Sequence, residues 1–356
     1  MNRAESKSKG EESPDGGYGW VIVIGAILQI CLIIQILPLF GVLFGVKFEE
    51  FESSQTEKSS VVSAFLLSGQ FPILLVGPMV EITSERLVAI IASVFMGIGL
   101  MISAFSTSTY HLIIGVGIFC GFGIGISATN NITIVNKYFT KKVGIALGIV
   151  ASFAELVGLL VPQLMKVLIP NFSSQNVILI YFGMTFVTAL LGAFLYKPLP
   201  TYQQIEATDF ANKKDKPTAR NIFKMIQWSL LKDPYCMFIM SINSTLMTTM
   251  FISTSEIALI AKARNFSLEE QADLITILSA SGIFMKFAQG MLMDSSLLKR
   301  IFEHPMKMLY IFSALCMALC IMGLALADSF IEISIIIVLF AFFSANILMN
   351  FSQILR

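Results

Sequence analysis

Two ionisable side chains interrupt long apolar runs: Lys286 within 274–293 and Glu155 within 143–169. A charge at membrane depth is costly, and by default such a residue marks a solute or proton pathway. An ammonium in low dielectric either binds an anion or loses its proton. Lys286 is therefore a candidate substrate-binding residue, a counter-ion for a solute carboxylate. The competing reading is that its head snorkels to the inner interface, with Asp294 about 12 Å further along the helix. Low dielectric also disfavours an isolated carboxylate, which makes Glu155 the proton-coupling candidate. Its competing reading is a neutral side chain hydrogen-bonded to a neighbour. Glu256 lies nearer the outer end of its run and reads as hydrated. Asn130 and Asn243 join Lys286 as substrate-binding candidates. Gln29, Gln35, Asn131 and Asn346 are further amides in apolar surroundings, where path lining and interhelical hydrogen bonding both use such groups.

Chemistry of other kinds finds no support. Two His cannot build a His-rich metal site, and Cys31, Cys120, Cys236, Cys316 and Cys320 all lie in apolar stretches, as small buried hydrophobes do. Cys316 and Cys320 share a helix face, yet no His or acidic residue accompanies them. There is no nucleophile–base pair, so no catalytic residue, metal or cofactor is expected. A net charge of +1 offers no overall field for nucleic acid.

The elements that must position these residues follow from composition. Of 356 residues, 56% are hydrophobic and 13% charged, the latter about half of the ~25% usual in soluble domains. Mean hydropathy is +0.79. Such a chain is expected in lipid, not as a secreted domain, a cytosolic enzyme or a disordered segment. Crossing the hydrocarbon takes about 20 apolar residues. Stretches of that kind fall at about 20–44, 60–80, 87–106, 111–133, 143–169, 176–196, 235–259, 272–293, 307–327 and 331–354. They are too long and too uniformly apolar for barrel strands. The N-terminus does not read as a cleaved signal.

Orientation follows from Lys and Arg. With the N-terminus inside, the outer segments hold only Lys47, Lys58, Lys166, Lys262 and Arg264. Apart from Lys286, the rest of the 24 basic residues fall on the cytoplasmic side. The sequons Asn171-Phe-Ser173 and Asn265-Phe-Ser267 fall on outer loops where glycan could attach, but both loops are short and close to the membrane, which favours the unmodified reading. Four regions result: a cytoplasmic tail 1–19, a six-helix half 20–196, a basic cytoplasmic loop 197–234, and a four-helix partial half 235–356. Within the loop, 221–231 is amphipathic around Trp228 and is expected in the inner interface. The competing reading is a longer, bent seventh span. Gly121, Gly123 and Gly125 do not form a nucleotide loop. Gly117, Gly121 and Gly125 make a small-xxx-small face for close helix packing.

Two motifs stand at the cytoplasmic ends of spans. Before span one the chain reads Pro14-Asp15-Gly16-Gly17-Tyr18-Gly19-Trp20. Physically this is an anchored helix start, with Tyr18 and Trp20 at headgroup depth and Asp15 able to cap the first turn. After span four come Tyr138-Phe139-Thr-Lys-Lys142-Val-Gly-Ile-Ala146-Leu-Gly148. The first resembles the [DE]-G-[GS]-[WY]-G-W motif of the monocarboxylate transporter family, a branch of the major facilitator superfamily. The second resembles that family's Y-F-x-x-R-x-x-x-A-x-G, with Lys142 in place of Arg. Leu231-Lys-Asp-Pro-Tyr235 also looks familial. The resemblance runs from about residue 14 to the C-terminus.

The resemblance implies an all-α polytopic fold of twelve transmembrane helices. About ten are present before the chain stops at Arg356, as in a fragment or a short product. Proton-coupled members carry Asp and Arg four residues apart in span eight. The matching positions are Gly282 and Lys286, so the cation remains and the carboxylate does not. Such members also place a Lys in outer span one, where this chain has Leu37-Pro38-Leu39. Glu155 stands as a replacement for the absent Asp. The resemblance also implies a single-span immunoglobulin-like accessory glycoprotein that assists surface delivery. The reading is a plasma-membrane transporter, N-terminus cytoplasmic, moving a small organic solute such as a monocarboxylate, with or without a proton, by alternating access. A relative that keeps the scaffold as sensor or binding partner without transport is the alternative.

Overall fold

The structure, a computed structural model, describes residues 15–37, 39–197, 234–264, 266, 268–294 and 305–354. The interfacial segment 221–231, the second sequon at Asn265 and the side chains of Asn243, Glu256, Asp294 and Asn346 lie outside what it describes. The described residues are helical, with no strand among them. They form α1 (Tyr18–Ile30), a 3-10 turn (Ile33–Ile36), α2 (Phe40–Glu50), α3 (Gln55–Gln70), α4 (Ile73–Ile82), α5 (Glu85–Ala104), α6 (Thr109–Leu112), a π-helical stretch (Ile113–Cys120), α7 (Gly121–Tyr138), α8 (Val143–Asn171), α9 (Ser174–Leu195), α10 (Pro234–Ala263), α11 (Leu268–Asp294), α12 (Pro305–Leu326) and α13 (Phe330–Ile354).

Helix thus occurs at each of the apolar stretches read from sequence, but two are interrupted. The first is broken between α1 and α2, with the 3-10 turn Ile33–Ile36 between them. The second is bent by 41° between α3 and α4, where Pro72 caps the new helix. Six described helical segments are long and apolar enough to cross a membrane, or seven if the bent pair is one span.

Contacts divide the chain into two compact units. One contains 1–141 and 163–227, the other 142–162 and 228–356. In the first unit α5 is central and packs on α7 and α9, with α1 laid against α9. Its inner face is apolar: Val88, Ala89, Ala92, Met96 and Leu100 are buried. Val187, Leu191 and Phe194 of α9 are exposed at helical spacing, as a lipid-facing stripe requires.

Small residues set the closest approaches. α3 and α7 meet at Gly69, Gly121 and Gly125, where a Cβ on Gly125 would overlap the carbonyl oxygen of Gly69. Amides tie other helices: Gln29 Nε2 donates to Ala89 O at 2.8 Å and Asn131 Nδ2 to Ala26 O at 3.3 Å. These two therefore serve interhelical bonding. In the second unit α11 and α12 pack on α13 around Leu274, Leu324, Ile333 and Ile337. Arg264 pairs with Asp328 and donates to Ala325 O at 2.9 Å, closing the turn between α12 and α13 against the end of α10.

The two sequence motifs meet in the first unit. Asp15 does not cap α1, whose N-cap is Gly17 with no side-chain bond. Its Oδ1 instead accepts the backbone N–H groups of Thr140 and Lys141 at 2.8 and 2.9 Å. The reason is backbone shape. Asp15 and Gly17 both have positive φ, 42° and 57°, which turns the chain so that the carboxylate faces the turn before α8. At residue 17 only glycine adopts this conformation without strain. Tyr18 OH donates to Leu195 O at 2.9 Å, Tyr138 OH to Lys197 O at 2.6 Å, and Trp20 lies edge-on to Phe139 with centroids 5.1 Å apart.

The motif is thus a clasp over the start of α1, the end of α7 and the end of α9. Asp15→Ala removes the acceptor for two N–H groups. A bond to a charged group contributes about 1.5–3 kcal/mol when shielded, and exposure here brings the expected total loss to about 1–2 kcal/mol. Asp15→Asn keeps an acceptor oxygen and should recover most of it. Thermal unfolding of the two purified variants measures the difference; equal loss in both would assign the effect to charge alone.

Candidate functional site

The site is built on α8 and α11 within the second unit. Both helices bring small or short residues to their contact: Ser152 Oγ donates to Ile283 O at 3.0 Å, and Gly282 has no side chain there. One turn above Ser152 on α8 stands Glu155. One turn beyond Gly282 on α11 stands Lys286. Lys286 Nζ donates to Glu155 Oε1 in a direct ion pair. The two residues are 131 positions apart in sequence.

Gly282 makes this pairing possible. A Cβ at residue 282 would lie 3.3 Å from both Cγ and Cδ of Glu155. The missing side chain is the space the glutamate occupies. The sequence reading had Lys286 without the carboxylate that the resemblance leads one to expect four residues earlier. The structure has a carboxylate over that same position, supplied by α8. Pairing also explains how both charges are tolerated at this depth, since an isolated charge there would be far more costly than a neutralised one. Neither side chain is sealed: Lys286 is 16% and Glu155 27% exposed. A proton on Glu155, or a competing anion at Lys286, would break the pair.

Asn130, the other candidate with a described side chain, is in the first unit and fully buried. Its Nδ2 donates to Glu85 O at 2.9 Å, while the Glu85 carboxylate takes Lys137 Nζ at 2.6 Å. Asn130 thus ties α7 to α5. Gly148 and Lys142 lie at the start of α8. The remaining motif residues form the clasp described above. Two positions that sequence alone did not single out as site residues also emerge. Lys47 is buried, with Nζ donating to Ser106 O at 3.0 Å and 5.7 Å from the Phe51 ring. The signal for it was a lysine flanked by phenylalanines, Phe44 to Phe51, in an apolar segment. Gln289, one turn past Lys286, was also passed over; a second polar residue in the same apolar run was its signal. Among the described residues no group of His, Cys, Asp and Glu is arranged to hold a metal.

Comparisons with known proteins agree with this frame. Residues 18–355 match the Major Facilitator Superfamily. Rat monocarboxylate transporter 13 is 25% identical over 188 residues, 53% of this chain and 44% of the relative. Chicken monocarboxylate transporter 4 is 24% identical over 287 residues, 79% of this chain and 58% of the relative. Monocarboxylate transporter 2 of Meriones unguiculatus is 22% identical over 92% of this chain and 69% of the relative. The aligned part spans about half the length of several of these relatives. The crystal structure of the human organic anion transporter MFSD10 (TETRAN) superposes with a TM-score of 0.62 at 14% identity, covering 96% of this chain and 86% of that one. This is likeness of fold. With a match that runs almost end to end, a helical apolar architecture and transporters among its relatives, the chain belongs to the Major Facilitator Superfamily.

Proposed function

We propose that this protein is a secondary transporter that moves a small organic anion of the monocarboxylate class across the plasma membrane by alternating access. The observation that carries the reading is the Lys286–Glu155 pair over Gly282. Lys286 is the counter-ion for the solute carboxylate. Glu155 holds Lys286 while no solute is bound and accepts the coupled proton when the solute replaces it. The monocarboxylate transporters among the relatives support the substrate class.

The sign of the pH dependence follows. Protonating Glu155 removes the negative charge that holds Lys286 and frees the ammonium for an anion. Uptake is therefore faster at the more acidic external pH. The test is uptake of labelled lactate, pyruvate, aromatic amino acids, carnitine and creatine at two external pH values, with Lys286→Ala alongside. The expected result is saturable, acid-stimulated uptake of a carboxylate, lost in the variant. Surface-expressed protein with no flux in any condition would make the pair a structural element of a non-transporting relative.

A further inference from the structure

Gln289 follows Lys286 by one turn of α11 and is 2% exposed. Its amide nitrogen is enclosed, and among the described residues no group accepts a hydrogen bond from it. Buried donors are paired in the great majority of native structures, and an exception requires a reason. Position supplies one. Gly282, Lys286 and Gln289 fall within about 60° of arc on a helix of 3.6 residues per turn. Residues three apart are neighbours on a helix surface. A helical side chain covers the turn N-terminal to its own Cα, and for Gln289 that is the turn carrying Lys286. Glu155 approaches from the opposite side, over Gly282, so it engages the ammonium and leaves the amide without an acceptor.

We propose that Gln289 is the second donor of the solute site. When a solute carboxylate replaces Glu155 at Lys286, one oxygen faces the ammonium and the other accepts the Gln289 N–H. This rests on the reading that Lys286 meets a solute carboxylate. The chemistry calls for such a partner. A carboxylate presents two acceptor oxygens and no donor. A lysine ammonium is a point charge that neutralises the group without orienting it, whereas an arginine fork would engage both oxygens in one plane. Lysine with a neighbouring amide divides the same task between two side chains. The ammonium provides attraction, and the amide provides orientation and discrimination against uncharged or singly accepting groups. The unmet bond of the solute-free state is met only when the anion is bound.

The experiment compares the purified full chain with Gln289→Leu, which keeps the size and removes the polar group. Gln289→Asn and Lys286→Ala are run in parallel. Thermal stability is measured alone and with pyruvate, L-lactate, 3-hydroxybutyrate, phenylpyruvate or benzoate, each against its primary amide. Without ligand, Gln289→Leu is expected to unfold at or above the wild-type temperature, because an unpaired buried donor is gone. Its Kd for the carboxylate that stabilises wild type is expected to rise about tenfold or more, the loss of one bond to a charged group. Gln289→Asn falls between the two, and the amide ligands do not distinguish the proteins. Gln289→Leu that unfolds below wild type without ligand would mean the amide is structurally paired, and would overturn the proposal. So would unchanged carboxylate affinity in Gln289→Leu while Lys286→Ala loses it; that result leaves the role of Lys286 standing. No carboxylate binding to wild type would overturn both.

Discussion

Moving the carboxylate from residue 155 to residue 282 is expected to restore the uptake that either single change removes. Glu155→Ala leaves Lys286 unpaired at membrane depth. The pair is only partly buried, but removing one partner still leaves a charge uncompensated in apolar surroundings, so uptake should fall by about tenfold or more. Gly282→Asp alone should be nearly as damaging. Its Cβ would lie 3.3 Å from Cγ and Cδ of Glu155, tighter than ordinary packing, and two carboxylates would then compete for one ammonium. In the double variant the alanine vacates the space and the aspartate stands four residues before Lys286 on the same helix, a spacing that brings opposite charges together. Uptake within a fewfold of wild type is the expected result, with surface expression measured for all four proteins. A double variant no better than the worse single one would mean that Glu155 acts through its place on α8 and not as the partner of Lys286.

The second large effect is steric. Gly125→Ala should abolish most of the folded protein at the surface and lower the unfolding temperature of what remains. A Cβ at residue 125 would overlap the Gly69 carbonyl oxygen and come within 2.8 Å of Pro72 Cγ. The first neighbour is backbone, so relief requires α3 and α7 to separate. Overpacking typically costs 1–3 kcal/mol, and a backbone clash belongs at about 3 kcal/mol or beyond. Gly183→Ala in α9 is the control. Nothing lies within 4 Å of its added carbon, and alanine is favoured over glycine in a helix by up to about 1 kcal/mol. Thermal unfolding of both purified variants should separate them widely. Equal stability would mean that the α3–α7 seam has slack the geometry does not suggest.

Both expectations turn on helix contacts, and there the sequence was uneven as a guide. The small-residue face at Gly117, Gly121 and Gly125 could be read directly, because an i, i+4 row of glycines has few uses in an apolar helix except close packing. Lys286 and Glu155 could each be singled out, because a charge in an apolar run is conspicuous wherever it falls. That they belong together could not be read. Each had an adequate separate account, snorkelling for one and a hydrogen-bonded neutral form for the other. Asn130 shows the opposite case. An amide in an apolar span suits a path or an interhelical bond equally, and only the structure shows that its Nδ2 donates to the carbonyl of Glu85 at 2.9 Å. The local rule for helix capping points Asp15 at the first turn of α1, but positive φ at Asp15 and Gly17 directs its carboxylate to a turn more than 120 residues away.

Sequence by itself determined that the chain is helical and apolar, roughly where its helices run, and which residues carry charge within them. Those are local properties: bilayer thickness sets the length of an apolar run, and each side chain carries its own desolvation cost wherever it lies. Tertiary structure alone decided that Glu155 neutralises Lys286, that Gly282 makes room for it, and that the Gln289 amide nitrogen finds no acceptor among the described residues. Partnership depends on how each helix is rotated about its axis, and one residue of register turns a side chain by about 100°. That rotation is set by packing of the small residues along the whole seam, which no single stretch of sequence contains.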